Sequence, residues 1–127
     1  MRMINSILLY IGSIVITLWG MAHIVPTKSV VTGFGLISED NRRIITMEWI
    51  AEGLALCFIG SLVLFITISE GSQNPVSIIV YRISAVMLLI MAGLARLTGA
   101  RTSIMPIKIC PVVKTTGAVL FFFGSVL

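Results

Sequence analysis

Two carboxylates stand inside an apolar run, Glu48 and Glu52 in the stretch from Ile44 to Ile68 that reads IITMEWIAEGLALCFIGSLVLFITI. Spaced i, i+4, they share one face of a helix. An ionised side chain at the centre of a membrane span costs about 2.5–3.5 kcal/mol on insertion scales, so a partner or a function is expected for such a group. Depth names the partner of Glu52. Glu52 lies eight residues beyond Ile44 and Lys114 eight beyond Pro106, and at the rise of an α-helix both then sit about 12 Å in from the same side. The two are expected to pair. His23, Glu48, Arg96 and Lys108 fall nearer that surface, so every span contributes an ionisable group to one end, whereas the other end contributes little beyond Arg82.

A histidine titrates near neutrality and suits proton transfer, which makes His23 a candidate general acid or base oriented by Glu48. The candidate catalytic set is His23, Glu48 and Glu52, and the candidate ligand-binding set is Trp19, Arg96, Lys108 and Lys114. The same residues also admit structural readings. Buried charges can fix helix register, a lone histidine can simply satisfy a hydrogen bond, and Arg96, Arg101 and Lys108 can snorkel to headgroups. One histidine and two carboxylates without the Glu-x-x-His pattern of di-iron bundles do not make a metal site. The chain carries no nucleophile elbow, phosphate loop, thiol pair or haem motif, and the sequence names no cofactor.

The elements that must position these groups are four apolar spans. With 57% hydrophobic and 11% charged residues in 127, and a mean hydropathy of +1.10, the chain has too little polar surface to cover a water-soluble domain. The expected fold is all-α, a single domain of four transmembrane helices over about 4–25, 39–68, 76–98 and 106–127. Pro26 ends the first span. Its Tyr10, Ser13, Thr17 and Gly20 form a small-residue stripe, and Gly53, Cys57, Gly60 and Ser61 form another on the second span, both suited to close packing in lipid. The connection Thr27 to Ile37 contains Gly33 and Gly35 as helix breakers and enough apolar residues to fold back over the bundle as a lid, or to rest on headgroups as a connector. Ser38 to Asn41 read as a helix start, and Glu70 to Pro75 as a tight turn that makes the second and third spans antiparallel neighbours. Pro111 removes one backbone hydrogen bond from the last span and is a candidate bend.

The net charge of +4 does not indicate a nucleic-acid partner, because the nine Lys and Arg are scattered between apolar blocks. Their distribution indicates orientation. Lys28, Arg42, Arg43, Arg96, Arg101 and Lys108 lie on the side of the first and third connections, against Arg2 and Arg82 on the other, so the former side is expected to be cytoplasmic and both termini extracytoplasmic. Arg2 is the residue that pulls the other way. Residues Arg2 to Ala22 imitate a signal peptide, but the apolar run continues to Val25, which argues against cleavage. Cys57 and Cys110 differ in depth by about 14 Å and are not expected to form a disulfide.

The pattern from Trp19 to Gly60, WGMAHIVPTKSVVTGFGLISEDNRRIITMEWIAEGLALCFIG, resembles that of small bacterial multi-pass membrane proteins, and more distantly the DoxX-like four-helix families. The shared features are a helix, a connection with Pro26, Gly33 and Gly35, then an acid followed by glycine, Glu52 and Gly53. The resemblance implies a four-helix protein of a bacterial inner membrane and transfers no catalytic residue.

Three functional classes remain. The first is a polar intramembrane pocket that binds, and in an enzyme converts, a small amphiphilic or lipid-like molecule. The second is an accessory subunit that docks the small-residue faces of the second and third spans on a copy of itself or a larger membrane complex. The third is a proton- or ion-coupled carrier, which would need Glu52 on a path to both surfaces.

Overall fold

The computed structural model describes residues 2–103 and 105–127, and the side chains of Arg2, Met105 and Pro106 lie outside that description. Among the described residues five α-helices follow in order: α1 (Arg2–Ile24), α2 (Thr27–Thr32), α3 (Glu39–Glu70), α4 (Pro75–Leu97) and α5 (Met105–Val126), with a 3-10 turn at Gly99–Arg101 before the last. The protein is all-α, and α1, α3, α4 and α5 are long and apolar enough to cross a membrane. At 32 residues α3 is about 48 Å long, more than a hydrocarbon core of about 30 Å needs. Its charged first turns therefore extend beyond the apolar layer.

Local chemistry sets the ends. Ser38 caps α3, its hydroxyl accepting from the Asn41 amide at 3.1 Å, with Glu39 and Asp40 in the first turn, where the positive end of the helix dipole favours acids. Asn74 caps α4 by accepting from the Val76 amide at 2.9 Å, and Pro75 takes the first-turn position that has no amide to lose. Between them Gly71 holds φ 80°, a left-handed backbone that other residues resist. The first connection is more ordered than its glycines suggested. Pro26 to Thr32 close one short helix, which Gly33 then stops, so the breakers act only after six helical residues.

The helices form a bundle in which α1 is central, packed against both α3 and α5, while α4 lies on α5. The turn at residues 71–74 does reverse the chain, yet α3 and α4 meet only lightly. The reason is that the small-residue face of α3 is given to α1. A Cβ on Gly20 would come within 2.8 Å of the Cys57 amide nitrogen and of the Gly53 carbonyl oxygen, and one on Gly60 would stand 2.8 Å from the Ser13 carbonyl. The two stripes read from the sequence thus mate with each other. Since apolar contrast is weak in lipid, this close packing is what holds α1 on α3.

Inward-facing positions recur at helical spacing. On α1 they are Asn5, Leu9, Gly12, Ser13, Ile16, Gly20 and His23, and on α5 Cys110, Lys114, Gly117, Ala118, Phe121, Gly124 and Ser125. The middle of the bundle is an apolar layer that includes Leu9, Ile16, Leu56, Leu88 and Phe121, each fully buried. Pro111 sits within a continuous α5.

Candidate functional site

Three helices place their ionisable groups in contact at one end of this layer. Glu52 accepts from the ammonium of Lys114 through one carboxylate oxygen, and its other oxygen lies 3.0 Å from Nε2 of His23. Lys114 is fully buried, His23 is 7% exposed, and the Glu52 side chain keeps 33% of its surface. Gly53, next to the acid, lets α1 come close enough for this, since a Cβ there would run into Ile24. A carboxylate can only accept, so the proton between His23 and Glu52 belongs to Nε2. The other ring nitrogen, Nδ1, has no hydrogen-bond partner among the described residues.

Trp49 completes the support of His23. Its ring stacks on the imidazole with centroids 4.1 Å apart and planes 21° apart, and its Nε1–H donates to the His23 carbonyl. Trp49 and Glu52, one turn apart on α3, therefore hold the same histidine by its ring face, backbone and edge. One turn back on α1, the Trp19 Nε1–H donates to Sγ of Cys110 at 3.4 Å, one turn before Lys114 on α5. This bond ties α1 to α5, while the contacts of Trp49 and Glu52 with His23 tie α1 to α3.

A cavity of about 610 Å³ opens beside this group. Its wall is made by Trp19, Ala22 and His23 of α1, by Pro26, Ser29, Val30, Gly33 and Phe34 in and around α2, by Trp49 of α3, and by Thr102 and Ile107 from the third connection and α5. The polar pocket expected from the sequence is thus mostly apolar, with His23 as its one ionisable lining group among the described residues. Glu52 and Lys114 stand behind it. The first connection forms a wall of the cavity through Ser29, Val30 and Phe34.

The candidate residues divide. Trp19, His23, Glu52 and Lys114 are brought together. Glu48 is exposed, with no ion pair or hydrogen bond among the described residues, and the carboxylate that meets His23 is Glu52, one turn further along. Arg96 and Lys108 are exposed and line no part of this cavity. Arg96 borders a second cavity, between α4 and α5. Among the described residues no three His, Cys, Asp or Glu side chains are close enough to hold a metal ion, and both cysteines are free thiols. Trp49 is the functional candidate that the sequence reading passed over. Its signal is an aromatic near the start of the span, three residues before Glu52 and so on the same face.

No family model, curated protein or solved structure matches the chain.

Proposed function

We propose that this protein binds a small amphiphilic molecule in the cavity beside His23, as a multi-pass protein of a bacterial inner membrane with its first and third connections in the cytoplasm. The observation that carries the reading is the chain Lys114 to Glu52 to His23, which ends at the wall of a 610 Å³ cavity. A site of this size, mainly apolar with one oriented polar group, suits a ligand with an apolar body and a single polar end. The body lies against Trp19, Ala22, Val30, Phe34 and Ile107, and the polar end meets Nδ1 of His23.

The same arrangement supports conversion as an extension of binding. With Nε2–H directed at Glu52, Nδ1 is the basic atom on the ligand side, and a proton taken there leaves an imidazolium beside the carboxylate. Lys114 neutralises that carboxylate in the resting state. The acceptor nitrogen is thus held in one tautomer by a group the ligand does not touch, a positioning role for Glu52 and Lys114. The resemblance of residues 19–60 to DoxX-like proteins is compatible with this reading and adds no residue to it.

Two other readings have less support. In the accessory-subunit reading the small face of α3 would be free for a partner, but α1 occupies it. A carrier would need polar groups along a path between the surfaces, and fully buried Leu9, Ile16, Leu56, Leu88 and Phe121 lie between the ends.

The test is native mass spectrometry of the purified protein with extraction of its copurifying small molecules. One small amphiphile per chain is expected. Ser29→Trp, at an exposed position on the cavity wall, should remove it by occupying its volume, and Glu52→Gln should reduce it at least tenfold, the order of one charge-assisted hydrogen bond. Unchanged binding and turnover in Glu52→Gln would eliminate the proposal.

A further inference from the structure

From residue 71 to residue 127 the chain has no Asp or Glu, while it carries Arg82, Arg96, Arg101, Lys108 and Lys114. Lys114 is neutralised by Glu52 of α3 and Arg82 donates from Nε to the Ser125 hydroxyl at 3.3 Å. Arg96 has no ion pair or side-chain hydrogen bond among the described residues. It stands in the last turn of α4, exposed, on the rim of a cavity of about 410 Å³ between α4 and α5. That cavity is separate from the one at His23, sharing no lining residue with it.

Its shape follows from the helices. Leu89, at the other end of the groove on α4, is seven residues before Arg96, so the groove runs about 10 Å along the helix axis from the end of the span inward. Between them Gly93 leaves the floor open, since a Cβ there would meet nothing within 4 Å. Leu89 and Val112 on its sides are 50% and 65% exposed, and exposed positions on a span face lipid. The groove thus joins a guanidinium at headgroup level to an apolar trough in the hydrocarbon, with no carboxylate of its own helices to satisfy the charge.

We propose that this groove binds one anionic phospholipid, with the phosphate on Arg96 and the upper part of an acyl chain along Gly93. Arginine suits the role because its planar fork bonds two phosphate oxygens together. A zwitterionic lipid offers the same phosphate but brings a cation towards Arg96, so the site selects for negative net charge. This inference is independent of any ligand at His23.

The experiment is native mass spectrometry in a non-ionic detergent, titrating the full chain with phosphatidylglycerol or phosphatidylcholine. The expected result is one tightly held phosphatidylglycerol per chain, preferred about tenfold over phosphatidylcholine, the scale of one charge-assisted contact. Arg96→Gln should abolish the preference. Gly93→Leu adds its side chain to open space, so the fold is kept, and it should weaken both lipids at least tenfold. Retention of the preference in Arg96→Gln, or of lipid binding in Gly93→Leu, overturns the proposal. So does a dimer that Gly93→Leu disperses without changing lipid binding, which would assign the groove to a second copy of the chain.

Discussion

His23 and Asn5 stand at the two ends of one buried stripe on α1, and the bundle surrounds them differently. Around His23 there is full charge: a carboxylate at 3.0 Å, a buried ammonium beyond it, and an indole stacked on the ring. Around the other end the buried polar groups are hydroxyls and amides. Thr67 Oγ1 and the Tyr81 hydroxyl are 2.7 Å apart, Ser6 and Ser72 approach to 3.5 Å, and the Asn5 Oδ1 and Ser77 Oγ atoms have no partner among the described residues. The 610 Å³ cavity lies at the charged end. Hydroxyls can be satisfied locally by the helix that carries them, as Thr67 also is through the Val63 carbonyl, whereas charges need partners from other helices. Where those partners must converge, the packing leaves room, and that room is what makes the charged end a candidate for function and the hydroxyl end a closure.

The sharpest way to break this contrast is to remove one charge. Glu52→Leu leaves the Lys114 ammonium buried with no counter-charge, and a loss of about 3–5 kcal/mol is expected, read from unfolding in mixed micelles. The double variant Glu52→Leu, Lys114→Met should recover most of it, because two apolar residues restore a neutral core. Lys114→Met alone should cost less, about 1.5–3 kcal/mol, since the partly exposed carboxylate keeps His23. A Glu52→Leu protein within 1 kcal/mol of the parent would place this pair with ordinary surface ion pairs. Next in size, Trp49→Phe retains the stacking on His23 but deletes the N–H donated to its carbonyl, at an expected cost of about 1 kcal/mol. Should that variant leave both stability and copurifying ligand unchanged, Trp49 would be a wall of the cavity and not a brace for the histidine.

The residues differ in how openly the sequence announces them. The four spans were legible because length and hydropathy are properties of each segment alone, and the observed helix ends lie within two residues of those expected. The Glu52 to Lys114 pair was legible because depth can be counted along each helix from its own entry. Rotation about the helix axis cannot be counted that way. Glu48 and Glu52 share a face at i, i+4, yet a turn of α3 separates an exposed acid from one that reaches into the bundle. Arg96 and Lys108 line no part of the cavity at His23, and Arg96 borders the separate cavity between α4 and α5. Which helix takes the small-residue face of α3 was equally hidden, because α1 and α4 both offer small residues and only the assembled packing decides between them.

The hydroxyl end yields the smaller effects, and they test the other half of the contrast. Tyr81→Phe removes the bond to Thr67 while leaving Thr67 its own carbonyl acceptor, so no orphan is created, and about 0.6 kcal/mol, the average for such bonds between membrane helices, is expected. Ser77→Ala goes further towards zero. The Ser77 hydroxyl is fully buried and its oxygen has no partner among the described residues, so it carries a desolvation cost that alanine does not. Replacing it should leave the unfolding midpoint unchanged or raise it slightly, with the cavity at His23 undisturbed. A clear drop would mean that Ser77 is satisfied after all, by ordered water bridging it to a neighbour, and that this end of the bundle also has room for a polar guest. The contrast between the two ends would then be one of charge alone and not of accessible space.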